Sequence, residues 1–170
     1  DCTFFDQLTD VSLAMDCIKE RIADDKGDIS HVYACADSGG GCLLIYFAAM
    51  QKNPKLAAAI HVTPSDLPLR ALGLISGMFY TTRFDQIGLF LPKYLYGKHY
   101  KKDAFAPYAN PENPGVVASL PPCYLVTSKN DNLQRYTLDF VKVLAKNKVP
   151  YRLQNFPKKA ELTHAFSVFY

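Results

Sequence analysis

The residues best suited to chemistry start at Ser38, in the run Ala36-Asp37-Ser38-Gly39-Gly40-Gly41. A short apolar stretch ends just before this run and a longer one begins just after it. A turn that tight between a strand and a helix forces its central residue into a strained backbone. Small neighbours let it close, and the side chain is left exposed. The helix that follows offers free N–H groups and the positive end of its dipole, which suit a developing oxyanion. A phosphate-binding turn is the alternative. It would want the pattern G-x-x-x-x-G-K-[ST], and no Lys follows these glycines.

A serine hydroxyl alone is a weak nucleophile and needs a base that is itself held by an acid. Asp131 lies in Ser128-Lys129-Asn130-Asp131-Asn132-Leu133, and His164 lies in Leu162-Thr163-His164-Ala165-Phe166. Each follows a short apolar run that reads as a strand. Parallel strands place their C-terminal ends on one edge of a sheet, so Ser38, Asp131 and His164 are expected to meet there in that chain order. Blander roles fit the same residues: Asp131 as a helix N-cap and His164 as a loop histidine. His31, His61 and His99 read as structural or solvated, and no pair of them has metal-ligand spacing.

The elements that would position this set can be read in order. Val11, Ala14, Cys17, Ile18 and Ile22 recur at helical steps over 8–24, with Gly27 as the stop. Residues 31–36 read as a buried strand and Cys42–Met50 as a helix buried all round. Pro54 restarts a short helix over 55–60. Strands are predicted at 71–76, 123–127 and 151–156, with a helix over 133–146. Strands that alternate with helices predict a parallel α/β sheet. Residues 77–119 hold Phe79, Tyr80, Phe84, Phe90, Tyr94, Tyr96, Tyr100, Phe105 and Tyr108. They read as an insertion with one short helix near 84–95, rather than core; an irregular aromatic core is the alternative.

Composition bounds the rest. A chain of 170 residues with 49% hydrophobic and 21% charged residues is one packed domain. A net charge of +3 gives no case for nucleic acid or an anionic membrane. Five cysteines at scattered positions argue against a disulfide framework or a zinc cage and for a reducing, cytoplasmic setting. No apolar run approaches the roughly 18 residues of a membrane span. Asp1 reads as a cut inside a longer protein.

Taken together, Asp37-Ser38-Gly39-Gly40-Gly41, Leu120-Pro121-Pro122-Cys123-Tyr124-Leu125-Val126-Thr127 with Asp131-Asn132-Leu133, and His164-Ala165-Phe166 resemble the α/β-hydrolase fold. Within it they resemble the hormone-sensitive-lipase-like carboxylesterases. Phe4 to Asp10 is similar to the family's approach to the helix before the serine. The chain departs from the family at Ala36, where Gly is usual, and at Gly39, where Ala is common. It also has no His-Gly-Gly-Gly segment, and the family's early strands and final helix are not present.

The resemblance implies a single partial α/β-hydrolase domain over 1–170, with a lid-like insertion at about 77–119 that walls an acyl pocket. It implies a carboxylic ester hydrolase for short-chain esters in which Ser38 attacks, His164 moves the proton, Asp131 orients His164 and the Gly39 N–H stabilises the oxyanion. A non-catalytic hydrolase-like binding domain is the alternative. The expected partner is a small ester, with no cofactor, metal, nucleic acid or membrane; a homo-oligomer is left open. The four strands should lie side by side, and the strand at 31–36 should have an open edge able to pair with another chain.

Overall fold

Thr3 starts the first helix, α1 (Phe4–Asp24), with a reciprocal cap. Its hydroxyl accepts from the Asp6 amide, and the Asp6 carboxylate accepts from the Thr3 amide. The computed structural model of the chain describes residues 2–168, so Asp1, read above as a cut end, lies outside the described residues. The helix begins at Phe4 and not near residue 8, because this cap starts it and Phe4 and Leu8 are buried one turn apart.

Its buried line is also different from the expected one. Phe4, Leu8 and Ser12 are buried, and Phe5, Val11 and Met15 pack beside them. Cys17 is exposed and Ile18 is 45% exposed. Only the first half of the helix lies against the core, so the apolar periodicity of the second half buries little. The stop is displaced as well. Lys26, at φ 56°, takes the left-handed position, and the Gly27 amide closes onto the Ile22 carbonyl.

Strand β1 (Tyr33–Asp37) follows a 3-10 turn at Ile29–His31. Helix α2 (Ser38–Met50) starts at once, and α3 (Pro54–Ile60) is capped by the Asn53 side chain with Pro54 in its first turn. Strand β2 (Ala71–Ile75) leads into the aromatic segment. There α4 (Gln86–Phe90), α5 (Pro92–Leu95) and α6 (Pro114–Val117) stand where one short helix was expected. Strand β3 (Cys123–Ser128), α7 (Gln134–Lys146) and β4 (Tyr151–Phe156) follow, and a 3-10 turn at Lys158–Ala160 leads on from β4.

The strands form one parallel sheet in the order β1-β2-β3-β4, a partial α/β-hydrolase arrangement. Asp37 pairs with Ile75, Ile75 with Val126, and Val126 with Gln154, so the C-terminal ends share one edge, with β3 and β4 running two residues beyond β1 and β2. Among the described residues β1 pairs on one side only. The expected burial of this strand is therefore incomplete: Tyr33 is 63% exposed and Cys35 is exposed. In α2, by contrast, Cys42 and every residue from Leu44 to Met50 are buried.

The aromatic segment is not set apart from the core. Phe79, Tyr80, Tyr96 and Phe105 are buried, whereas Phe84, Phe90 and Tyr94 are exposed. Phe4, Tyr46, Tyr96 and Phe105 pack with ring centroids 5.1–5.9 Å apart, joining α1, α2 and this segment. Phe79 stacks on Phe140 of α7 at 4.4 Å. Arg83 lies 3.3 Å from the Tyr80 ring centre and pairs with Asp139 at 2.8 Å. The segment is thus anchored at both ends, and its exposed aromatic rings, Phe84, Phe90 and Tyr94, lie on and just before α4 and α5. Among the described residues no helix is long and apolar enough to cross a membrane.

Candidate active site

Ser38 sits at the first position of α2 with φ 46°, the left-handed conformation that a tight strand-to-helix turn demands. The Met78 amide donates to the Ser38 carbonyl at 2.9 Å and clamps the turn to the end of β2. Ala36 leaves room in the turn on the side of Gly40. A Cβ at Gly40 would lie 3.5 Å from the Ala36 Cβ, so one methyl fits there. At Gly41 a Cβ would come within 3.3 Å of the Gly77 Cα, so backbone approaches backbone closely. The Gly39 N–H lies in the first turn of α2, where helical geometry provides no acceptor for it.

The three residues singled out in the sequence come together at the C-terminal edge of the sheet. Ser38 Oγ lies 2.9 Å from His164 Nε2, and His164 Nδ1 lies 2.9 Å from Asp131 Oδ1. An ionised Asp131 accepts only, so Nδ1 carries the ring proton and Nε2 is left to accept from the Ser38 hydroxyl. The Asp131 side chain is 0% exposed and that of His164 30% exposed. The carboxylate is buried and the ring is reachable.

Asp131 also accepts from the Leu133 amide at 2.9 Å and from the Thr127 hydroxyl at 3.1 Å. Burial works against its charge. The Ser76 hydroxyl beside it and the contacts from Leu133, His164 and Thr127 prevail, and they hold the carboxyl below its ordinary value. Ser76 itself is 0% exposed with φ 48°, and its Oγ closes no hydrogen bond of full geometry.

His164 is carried by a loop, and that loop is tied down. The Asn130 side chain donates to the Lys158 carbonyl at 2.9 Å, and the Ser128 hydroxyl donates to the Leu162 carbonyl. Phe166 packs edge-on against Phe156 at 5.9 Å. Thr127, Ser128, Asn130 and Ser76 escaped the sequence reading as site residues. The signal available was a pair of hydroxyl residues closing an apolar strand at Thr127-Ser128. The two buried cysteines offer no rival nucleophile, because burial pushes the Cys42 and Cys123 thiols up to about 12.

A tight left-handed serine turn between β1 and α2, with an acid after β3 and a histidine after β4, defines a class of proteins. The chain belongs to the family described as the α/β hydrolase fold, which matches residues 3–167. Esterase B from Lactobacillus rhamnosis is similar in structure, with a TM-score of 0.85 and 23% identity over 99% of this chain and 55% of that one. The same esterase inhibited by a tributyrin phosphonate superposes with a TM-score of 0.86 and 23% identity, over 99% of this chain and 55% of that one. A carboxylesterase from Lactobacillus plantarum superposes with a TM-score of 0.68 and 13% identity over 93% of this chain and 54% of that one. The chain therefore spans just over half the length of these structures. No curated protein matches it.

Proposed function

We propose that the chain carries the centre of a serine carboxylesterase acting on short-chain acyl esters. The observation that carries this reading is the unbroken line from Ser38 Oγ through both nitrogens of His164 to Asp131, with each step at 2.9 Å. Ser38 Oγ attacks the ester carbonyl as its proton passes to His164 Nε2. The Gly39 N–H and the positive end of α2 face the oxyanion that forms. The His164 Nε2 proton then passes to the leaving alcohol, and the acyl group stays on Ser38. Water, deprotonated by His164, releases the acid. Asp131 stays ionised throughout and stabilises the imidazolium.

Short acyl groups are supported by the tributyrin phosphonate that inhibits the similar Lactobacillus esterase. Met78 stands beside Gly39, with its Cε at an ordinary contact distance of 3.8 Å from a Cβ placed there, and borders the proposed acyl pocket. The aromatic segment is proposed to wall that pocket. The partner is a small ester, and this chemistry needs no cofactor. Five unpaired cysteines favour a reducing, cytoplasmic compartment.

A fluorophosphonate probe tests the reading. It should label Ser38 in the intact protein and leave Ser38→Ala unlabelled. A folded protein that takes no label at Ser38 would be a hydrolase-like binding domain instead.

A further inference from the structure

Two serines take the left-handed conformation at neighbouring strand ends: Ser38 after β1, at φ 46°, and Ser76 after β2, at φ 48°. The first is explained by the nucleophile turn. The second has no such explanation. A non-glycine residue holds this backbone only where its surroundings over-determine it, and such residues cluster at working sites. The Ser76 amide still donates to the Val126 carbonyl at 2.8 Å. The twist therefore redirects the side chain and leaves the ladder intact.

Ser76 is fully buried, and its hydroxyl has no hydrogen-bond partner at full geometry. An orphaned buried hydroxyl is costly and calls for an acceptor nearby. Register supplies one. Ile75 pairs with Val126, so Ser76 falls beside Thr127, whose hydroxyl donates to Asp131 Oδ2. Asp131 Oδ1 already takes the Leu133 amide and His164 Nδ1, whereas Oδ2 takes Thr127 alone. A carboxylate oxygen has room for two donors, so Oδ2 has one position open.

We propose that Ser76 is a positioning residue, whose hydroxyl donates to Asp131 Oδ2 and fixes the carboxylate in line with His164 Nδ1. The same proximity helps hold Asp131 in its charged form against the opposing effect of burial. The assignment adds a residue from β2 to a set otherwise drawn from the ends of β1, β3 and β4.

The kinetic part of the test rests on the esterase reading, and the spectroscopic part does not. Ser76→Gly removes the hydroxyl and suits a positive φ, so its melting temperature should not fall. Ser76→Ala removes the hydroxyl and keeps the strained backbone. In the intact protein both variants should lower kcat for p-nitrophenyl acetate by about tenfold with KM unchanged. Both should also shift the downfield proton NMR resonance of His164 Nδ1–H. A purely structural role moves neither reading in a stably folded Ser76→Gly. In an active protein, a parental value for either reading in Ser76→Gly overturns the proposal. If the parent protein neither hydrolyses the ester nor labels at Ser38, the esterase reading fails. The resonance then decides alone: a shift supports the role of Ser76, and an unmoved resonance overturns it.

Discussion

Two clusters of serine, histidine and aspartate stand among the described residues, and their distances are almost the same. At the surface, Ser30 Oγ lies 2.9 Å and Asp28 Oδ2 2.6 Å from His31 Nδ1. At the sheet edge the two separations around His164 are both 2.9 Å. The difference lies in which atoms meet. Ser30 and Asp28 crowd one ring nitrogen, and the Ser30 hydroxyl already donates to Asp28 Oδ1 at 2.6 Å. No proton can cross that ring. Ser38 and Asp131 take opposite nitrogens, so the ring can accept from one and donate to the other.

Solvent separates the clusters further. The side chains of His31 and Asp28 are 60% and 62% exposed, whereas that of Asp131 is 0% exposed. Asp28 is drawn down to about 2 by the Ser30 hydroxyl and amide and then by His31. That is a capping interaction at a 3-10 turn. Residue types and short distances therefore do not make a site. Opposite ring nitrogens, a buried acid and a strained serine at a helix start distinguish the cluster that can react.

Paired substitutions sharpen this contrast. Ser38→Ala should abolish ester hydrolysis, a loss of about 10⁶ in kcat by analogy with other serine triads. Ser30→Ala should leave the rate at its parental value. Asp131→Asn should fold and lose up to about 10⁴ in kcat through the wrong His164 tautomer. A loss of less than about tenfold would point to another acid. Asp28→Asn should leave the rate unchanged.

The next effect is on stability. The folded-state pKa of Asp131 is lowered, so the unfolded chain binds that proton more readily. Its stabilisation is complete above about pH 4 and fades as pH falls through the lower folded value. Melting curves of Asp131→Asn should therefore flatten against pH below about pH 4 compared with the parent. The smallest effect is expected at Gly39→Ala. The added Cβ meets only Met78 Cε, at an ordinary 3.8 Å, so kcat should stay within about twofold. A large loss would place the acyl group tighter against Gly39 than proposed.

Much of this site could be read from the sequence, for local reasons. The glycine run and an all-apolar helix mark the serine turn without any tertiary information. Asp131 and His164 stand out because they are polar residues just beyond apolar strands, and parallel pairing sends both to one edge. The features that were missed depend on packing. Cys17 and Ile18 follow the helical period, yet they face solvent because only the front half of α1 meets the core. Phe79 and Phe105 look like their exposed neighbours Phe84 and Phe90 until α2 and α7 bury them. Ser76 has no signature at all in Ile75-Ser76-Gly77, since its burial and left-handed turn arise from strands on both sides.

Labelling of the intact protein with a fluorophosphonate, followed by peptide mapping, tests the central claim most directly. One adduct is predicted, on Ser38, with Ser30 unmodified and with labelling strongly slowed by Asp131→Asn. A folded protein unlabelled at Ser38, or one labelled there at the same rate after Asp131→Asn, would contradict the proposed esterase centre.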